Sequence, residues 1–137
     1  MLLSKTPLRI SFAGGGSDYF NDQSNVKGRV LVTTINKYMY VLLNKKHDSS
    51  VRISYSKTEN VSHVNKLEHQ IIRESLKNYN ITNGVEIVTV ADIPTSGSGL
   101  ASSSALTVGL VNVINKFKNE NLTKKLLSKE ACKIEIN

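Results

Sequence analysis

Residues 93–105 constrain the fold of this chain more than any other segment does. Seven of them are Gly or Ser. The residues just before, 85–90, are rich in β-branched side chains and predict a strand, and the apolar run at 106–117 predicts a mostly buried helix. Glycines allow successive N–H groups to point the same way, the helix adds the positive end of its dipole, and serine hydroxyls add donors or a magnesium ligand. The pattern therefore predicts a phosphate-binding loop or, alternatively, a flexible connection in which Ser102 only caps the helix.

Known phosphate-binding fingerprints differ from this loop. No Gly-Lys-Ser/Thr follows the glycines, as a Walker A loop requires, and the Gly-x-Gly-x-x-Gly of dinucleotide-binding proteins is absent. No Lys or Arg occurs between Lys77 and Lys116. An anion bound by this part of the chain must therefore be held by backbone amides, hydroxyls or a metal ion.

A second glycine-rich segment lies near the N-terminus. Residues 8–12 alternate between apolar and polar side chains, which predicts a strand, and Gly14, Gly15 and Gly16 follow. Asp18 comes just after this turn, where a carboxylate can accept hydrogen bonds from sugar-like hydroxyls, and Arg9 could meet a phosphate or hold that carboxylate. The alternative is that Asp18 only caps a turn or a helix.

The remaining pattern is that of a mixed α and β chain. Residues 30–35, 38–43 and 51–55 predict strands that are antiparallel neighbours, with a turn at 44–50. Apolar residues recur at helical spacing over 64–76 and predict one amphipathic helix, and a last helix is predicted from Leu122 onward. Glu135 on that helix is expected to be merely solvated unless it faces the serine-rich loop. The three histidines, His47, His63 and His69, are expected to lie on the surface.

Composition bounds the class of protein. With 137 residues, the chain has the size of one domain, and Cys132, its single cysteine, predicts a reducing compartment, by default the cytoplasm. No apolar run approaches the length of a membrane span. The net charge of +7 comes from far more Lys than Arg, and the basic stretch at 116–133 is interpreted as a solvated helix face rather than a nucleic-acid site. We therefore expect neither a nucleic acid nor a membrane as partner.

Three motifs together resemble those of the GHMP small-molecule kinases. They are TPLRISFAGGGSD at 6–18, TTINKYMY at 33–40 and GSGLASSSALTVGL at 97–110. The resemblance is greatest to the sugar kinases of that family that act on phosphorylated heptoses. It implies an α+β fold like that of ribosomal protein S5 domain 2, with ATP and Mg²⁺ bound without a Walker lysine, and a sugar or sugar phosphate as the phosphoryl acceptor.

The resemblance also implies a role for individual residues. Ser103 matches a position that also meets Mg²⁺, and Glu135 matches the acidic metal ligand of a later helix. On the substrate side, the matching residues are Arg9, Gly15, Gly16 and Asp18. The phosphate loop, called the serine loop below, comprises Gly97, Ser98, Gly99, Leu100, Ala101, Ser102, Ser103 and Ser104.

The chain departs from the family pattern in two respects. Ala101 stands where Gly or Ser is usual, which is tolerable if its φ is negative and costly if it is positive. The catalytic aspartate and the second domain that follow in the family are missing from these residues. We therefore expect residues 1–137 to be a truncated N-terminal, ATP-binding domain with little kinase activity of its own. The alternative is a non-catalytic nucleotide-binding fragment or one half of a split kinase, completed by a second chain.

Overall fold

Five strands and three α-helices make up the part of the chain that the structure describes. The structure is a computed structural model and describes residues 1–15, 28–94 and 98–136. The strands are β1 (Leu2–Ala13), β2 (Leu31–Lys45), β3 (Val51–Ser54), β4 (Thr58–Val61) and β5 (Val85–Ala91). The helices are a 3₁₀ turn (Val64–Lys66), α1 (Gln70–Asn78), α2 (Ser102–Phe117) and α3 (Lys124–Ile136). Gly16, Asp18 and Gly97 lie outside the described residues.

One mixed sheet contains all of these strands, in the order β1-β2-β5-β3-β4. The prediction that β2 and β3 are antiparallel neighbours is wrong, because β5 lies between them. β5 is antiparallel to β2, with Met39 opposite Ala91, and parallel to β3, with Ile53 opposite Ile87. Backbone bonds from the Lys46 amide to Gly84, and from the Gly84 amide to Ser50, hold the entry to β5 between the other two strands. Alternation of side chains predicts a strand but not its partner, and this partner is distant in sequence.

The predicted amphipathic helix over 64–76 is interrupted. A 3₁₀ turn buries Val64, Leu67 follows in extended conformation, and α1 begins only at Gln70. The break coincides with a hydrogen bond of 2.7 Å from the Glu68 amide to the Glu59 carboxylate, which takes that amide out of helical bonding. The apolar spacing was still informative, because Val64, Leu67 and Ile72 are all buried.

Helix α2 lies across the sheet as predicted for a buried helix. Its Leu110 and Ile114 are fully buried together with Val41 and Ile87 of the sheet. Burial of such side chains stabilises a fold by roughly 1.5 to 3 kcal/mol each. The approach is closest at Gly109, where an added Cβ would lie 3.0 Å from Val41 Cγ2. This packing holds the N-terminus of α2 in a defined place relative to β1 and β5.

Helix α3 covers the side of α2 that faces away from the sheet. Ala131 and Ile134 are buried there in one cluster with Val111 of α2. The Thr123 hydroxyl accepts a hydrogen bond of 3.3 Å from the Leu126 amide at the start of α3, so the predicted last helix is confirmed. Within the described residues, no helix has both the length and the apolar character needed to cross a membrane.

Candidate functional site

The N-terminus of α2 is open. The residue before its first turn is Ala101, which has no side chain able to cap it, and no side-chain cap bond is formed. The first helical backbone bond runs from the Ala105 amide to the Ala101 carbonyl at 3.0 Å. The amides of Ser103 and Ser104 precede it and cannot reach a carbonyl within the helix. Ser102 thus lies within the first turn of α2 and not at the cap position, and the positive end of the dipole faces the serine loop.

Left-handed backbone shapes the serine loop. Ala101 has φ 57° and ψ 42°, so the methyl group occupies the costly conformation anticipated for a positive φ, at about 1 to 2 kcal/mol. Gly99 also has a positive φ of 65°, and beyond its chain neighbours no atom of the described residues lies within 4 Å of where a Cβ would be. A left-handed residue followed by right-handed ones turns successive amides toward one point, a geometry that suits anions. Strain of this kind persists where function requires the shape.

Ser98 provides an independent indication of a ligand. Its hydroxyl oxygen is shielded from solvent and has no hydrogen-bond partner among the described residues. A buried hydroxyl without a partner is costly, and a phosphate oxygen would satisfy it. The donors of the serine loop therefore fit a nucleotide phosphate chain.

The structure brings the two glycine-rich motifs together. The Arg9 amide of β1 donates a hydrogen bond of 3.3 Å to the Leu100 carbonyl of the serine loop. β1 continues to Ala13 and leads into Gly14, which has a φ of 83°. Gly15 is exposed at the end of the described segment. The strand that leads to the substrate-side turn thus passes beside the serine loop at Arg9, while the roles of Gly16 and Asp18 stay predictions.

An open cleft of about 430 Å³ extends from the N-terminus of α2. Ser102 and Ser103 line one end of it. Its other lining residues are mostly apolar or aromatic and come from β2, from β5 and the residues after it, from the turn after β3, from α1 and the residue before it, and from α2: Met39, Tyr55, Ser56, His69, Ile71, Thr89, Val90, Ala91, Ile93, Pro94 and Leu106. The cleft therefore joins an end lined by serines at the N-terminus of α2 to an apolar end.

Tyr55 and His69 form one wall of this cleft. Their rings meet edge to face with centroids 4.7 Å apart. The Tyr55 hydroxyl donates a hydrogen bond of 2.8 Å to the carboxylate of Glu59. Burial alone would raise the pKa of that carboxyl, but hydrogen bonds from Glu68, Tyr55 and His69 outweigh burial, and the pKa is lowered. Glu59 is therefore a carboxylate at neutral pH.

His69 does not fit the surface position predicted for it. It is half-buried, lines the cleft and caps α1 by accepting a hydrogen bond of 3.5 Å from the Ile72 amide at Nδ1. Burial lowers the pKa of its imidazole, while the nearby Glu59 carboxylate opposes that shift. Sequence reasoning missed this role because Ser, Thr, Asp and Asn are the usual caps, and a histidine before a helix carries no comparable signal.

The lowered pKa predicts a pH dependence of stability. The unfolded chain binds a proton at His69 more readily than the folded chain does. The contribution of His69 to folding stability is therefore complete above about pH 6.5, and it is lost as the pH falls through the lower pKa of the folded state. We expect the melting temperature to fall between pH 7 and pH 5. In His69→Asn, which keeps a capping side chain without a titrating group, that fall should be smaller. Equal slopes for the two proteins in thermal melts would contradict this assignment.

Glu135 is exposed near the end of α3. The preceding residue, Ile134, packs in one cluster with Val108 and Val111, which places this part of α3 alongside α2. Among the residues described, no three His, Cys, Asp or Glu side chains converge to hold a metal ion. Mg²⁺ is commonly bound by one or two protein oxygens together with phosphate oxygens. The Ser103 hydroxyl and the Glu135 carboxylate suit that mode chemically, and their role as ligands stays a prediction.

The family model and the curated relative that match this chain indicate the same family of proteins. Residues 62–137 match the family described as GHMP kinases N terminal domain. A curated relative, D-glycero-alpha-D-manno-heptose 7-phosphate kinase of Campylobacter jejuni, is 29% identical over 147 aligned positions, covering 96% of this chain and 42% of the relative.

Solved structures agree with this match. The structure of a D-glycero-D-manno-heptose 1-phosphate kinase from Bacteroides thetaiotaomicron superposes with a TM-score of 0.81 at 27% identity, over 98% of this chain and 48% of that one. Lactococcus lactis galactokinase, solved with galactose, shares the fold with a TM-score of 0.74 at 23% identity, over 97% of this chain and 37% of that one. The chain thus spans less than half the length of each of these relatives, and the expected α+β fold is confirmed.

Proposed function

The chain belongs to the GHMP kinase family, and from this premise we propose that its residues form the nucleotide-binding part of an ATP-dependent sugar kinase. The reaction is transfer of the γ-phosphoryl group of ATP to a hydroxyl of a phosphorylated heptose or a related sugar. The heptose acceptor is supported by the names of the relatives at 29% and 27% identity, which are both heptose phosphate kinases.

The observation that carries this proposal is the uncapped N-terminus of α2 at the rim of the cleft. The β- and γ-phosphates are assigned to the amides of the serine loop, with the Ser98 hydroxyl, which has no partner in the described part of the chain, as a further donor. The nucleoside then extends into the apolar end, between Tyr55 and Ile93. Anions bind at helix N-termini because the amides and the dipole both favour negative charge.

Fixed amides suit phosphoryl transfer. The reaction requires positioning and stabilisation of charge on the phosphoryl oxygens more than covalent chemistry by the protein. Amides that already point at the phosphates need no reorganisation when charge redistributes. With no Lys or Arg between Lys77 and Lys116, these amides and hydroxyls carry that task in the central segment. A bound Mg²⁺, with Ser103 and Glu135 as its protein ligands, would supply the remaining positive charge.

ATP binding by the chain tests the proposal directly. Isothermal titration with ATP in the presence of Mg²⁺ should give a saturable one-to-one complex, and inorganic tripolyphosphate should compete with it. Tripolyphosphate shares only the phosphates with ATP, so competition shows that the phosphates of both ligands occupy one site. A chain that binds neither ligand at millimolar concentration does not have this function.

Glu135→Gln separates the metal site from the phosphate site. We expect the affinity for ATP with Mg²⁺ to fall at least about tenfold, because even outer groups around a metal contribute that much. The affinity for ATP in the presence of a chelator should not change. Glu130→Gln on the same helix, whose carboxylate only pairs with Lys133 at 2.7 Å, is the matched control. Equal behaviour of both variants would remove Glu135 from the metal site.

A further inference from the structure

The proposed phosphate site does not explain why the carboxylate of Glu59 is buried. Glu59 lies on the edge strand β4 and is only 9% exposed. Its Oε1 accepts from the Tyr55 hydroxyl at 2.8 Å and its Oε2 from the Glu68 amide at 2.7 Å. The backbone amide of His69 also favours the charged form of this carboxyl and lowers its pKa. A buried carboxylate with several donors is retained where the geometry it imposes matters.

These donors come from two segments of chain that also meet through the Tyr55 and His69 rings and through the ion pair between Lys57 and Glu68. Tyr55 follows β3, in the turn before β4, whereas Glu68 and His69 precede α1. Tyr55 and His69 line the cleft, but Glu59 does not. The carboxylate therefore acts on the cleft only through the residues that it holds.

We propose that Glu59 is a positioning residue for recognition of the nucleotide base. It fixes the Tyr55 ring and the backbone at His69, so that the wall of the cleft is in place before the base arrives. A wall that is already ordered binds a planar base without the loss of side-chain freedom that a mobile wall would impose. This inference rests on the proposed function, and it concerns the base end of the site rather than the phosphate end.

A carboxylate is required because both of its hydrogen-bond partners, the Tyr55 hydroxyl and the Glu68 amide, are donors. In Glu59→Gln one oxygen becomes an NH₂ group, which cannot accept a hydrogen bond. At least one of the donors then stays unsatisfied in a buried place, or the wall shifts to avoid this. Tyr55→Phe removes only the hydroxyl and leaves the Glu68 amide bonded to the carboxylate.

The test compares two ligands on the full chain, ATP and inorganic tripolyphosphate, both with Mg²⁺. Glu59→Gln should weaken ATP binding by about tenfold, as expected when a hydrogen bond to a charged group is lost. Tripolyphosphate binding should stay within about twofold, because the serine loop is unchanged. Tyr55→Phe should weaken ATP binding in the same direction but less. Glu86→Gln, which breaks the pair between Glu86 and Arg52 at 2.8 Å outside the cleft, is the matched control and should bind both ligands normally.

Each outcome decides the matter. If Glu59→Gln loses the same affinity for both ligands, Glu59 only supports the fold. If the ATP affinity is unchanged in both Glu59→Gln and Tyr55→Phe, this carboxylate does not hold the wall of the cleft. Either result overturns the inference while leaving the proposed function in place. If the unaltered chain binds neither ligand, the proposed function fails and the positioning role fails with it.

Discussion

Replacing Ser103 with Asp is expected to weaken ATP binding by roughly a hundredfold without unfolding the protein. Ser103 lies in the first turn of α2 and lines the phosphate end of the cleft. A carboxylate there repels the phosphate chain at close range and competes for the same amides. The same charge interacts favourably with the helix dipole, so the melting temperature should stay equal or rise slightly. Loss of ligand binding with retained stability is the signature of an anion site at a helix N-terminus.

Ser103→Asn is the matched control, because it has the size of Asp without the charge. Its ATP affinity should fall far less than that of Ser103→Asp. Titration calorimetry and thermal melts on the three proteins measure both quantities. ATP binding that is indifferent to the added charge would show that the serine loop is a mere connection, and would remove the basis for the kinase assignment.

Gly14→Ala is expected to disrupt the turn at the end of β1 and to lower the melting temperature by several degrees. A Cβ on Gly14 would lie 1.9 Å from the backbone oxygen of Arg29, a distance at which the backbone itself must move. The φ of 83° adds a cost of about 1 to 2 kcal/mol for a side chain. Overpacking against backbone adds roughly 1 to 3 kcal/mol. The two costs arise together because the glycine both turns the chain and touches its neighbour.

The neighbouring Gly15 provides the control. Among the described residues beyond its chain neighbours, a Cβ on Gly15 would meet only the Ser11 hydroxyl at 3.7 Å, an ordinary contact. Gly15→Ala should therefore melt within about a degree or two of the unaltered protein, since surface changes without a clash have small effects. Differential scanning calorimetry compares the two variants. Similar melting temperatures for both would contradict the close approach of Gly14 to Arg29.

Local sequence patterns predict only part of the candidate site. The strand before the serine loop, the buried helix after it and the absence of nearby Lys and Arg were all readable from local patterns, and β5 and α2 confirm the first two. The sequence predicts strain at Ala101 only if its φ is positive. The sign of φ depends on how β5 and α2 are placed around the loop, so only the structure gives it. The contact between the Arg9 amide and Leu100 joins residues far apart in sequence, and no local pattern predicts it.

What the sequence determined by itself is therefore the local chemistry: a loop of small, hydroxyl-bearing residues between a strand and a buried helix, and a glycine turn after β1. Hydrophobic periodicity and the conformational freedom of glycine act between near neighbours, so they are visible without a fold. Only the tertiary structure decided that β5 separates β2 from β3, and that Glu59 joins Tyr55 to the segment before α1. Strand partners and buried hydrogen bonds depend on contacts between distant residues, which compete with one another across the whole core.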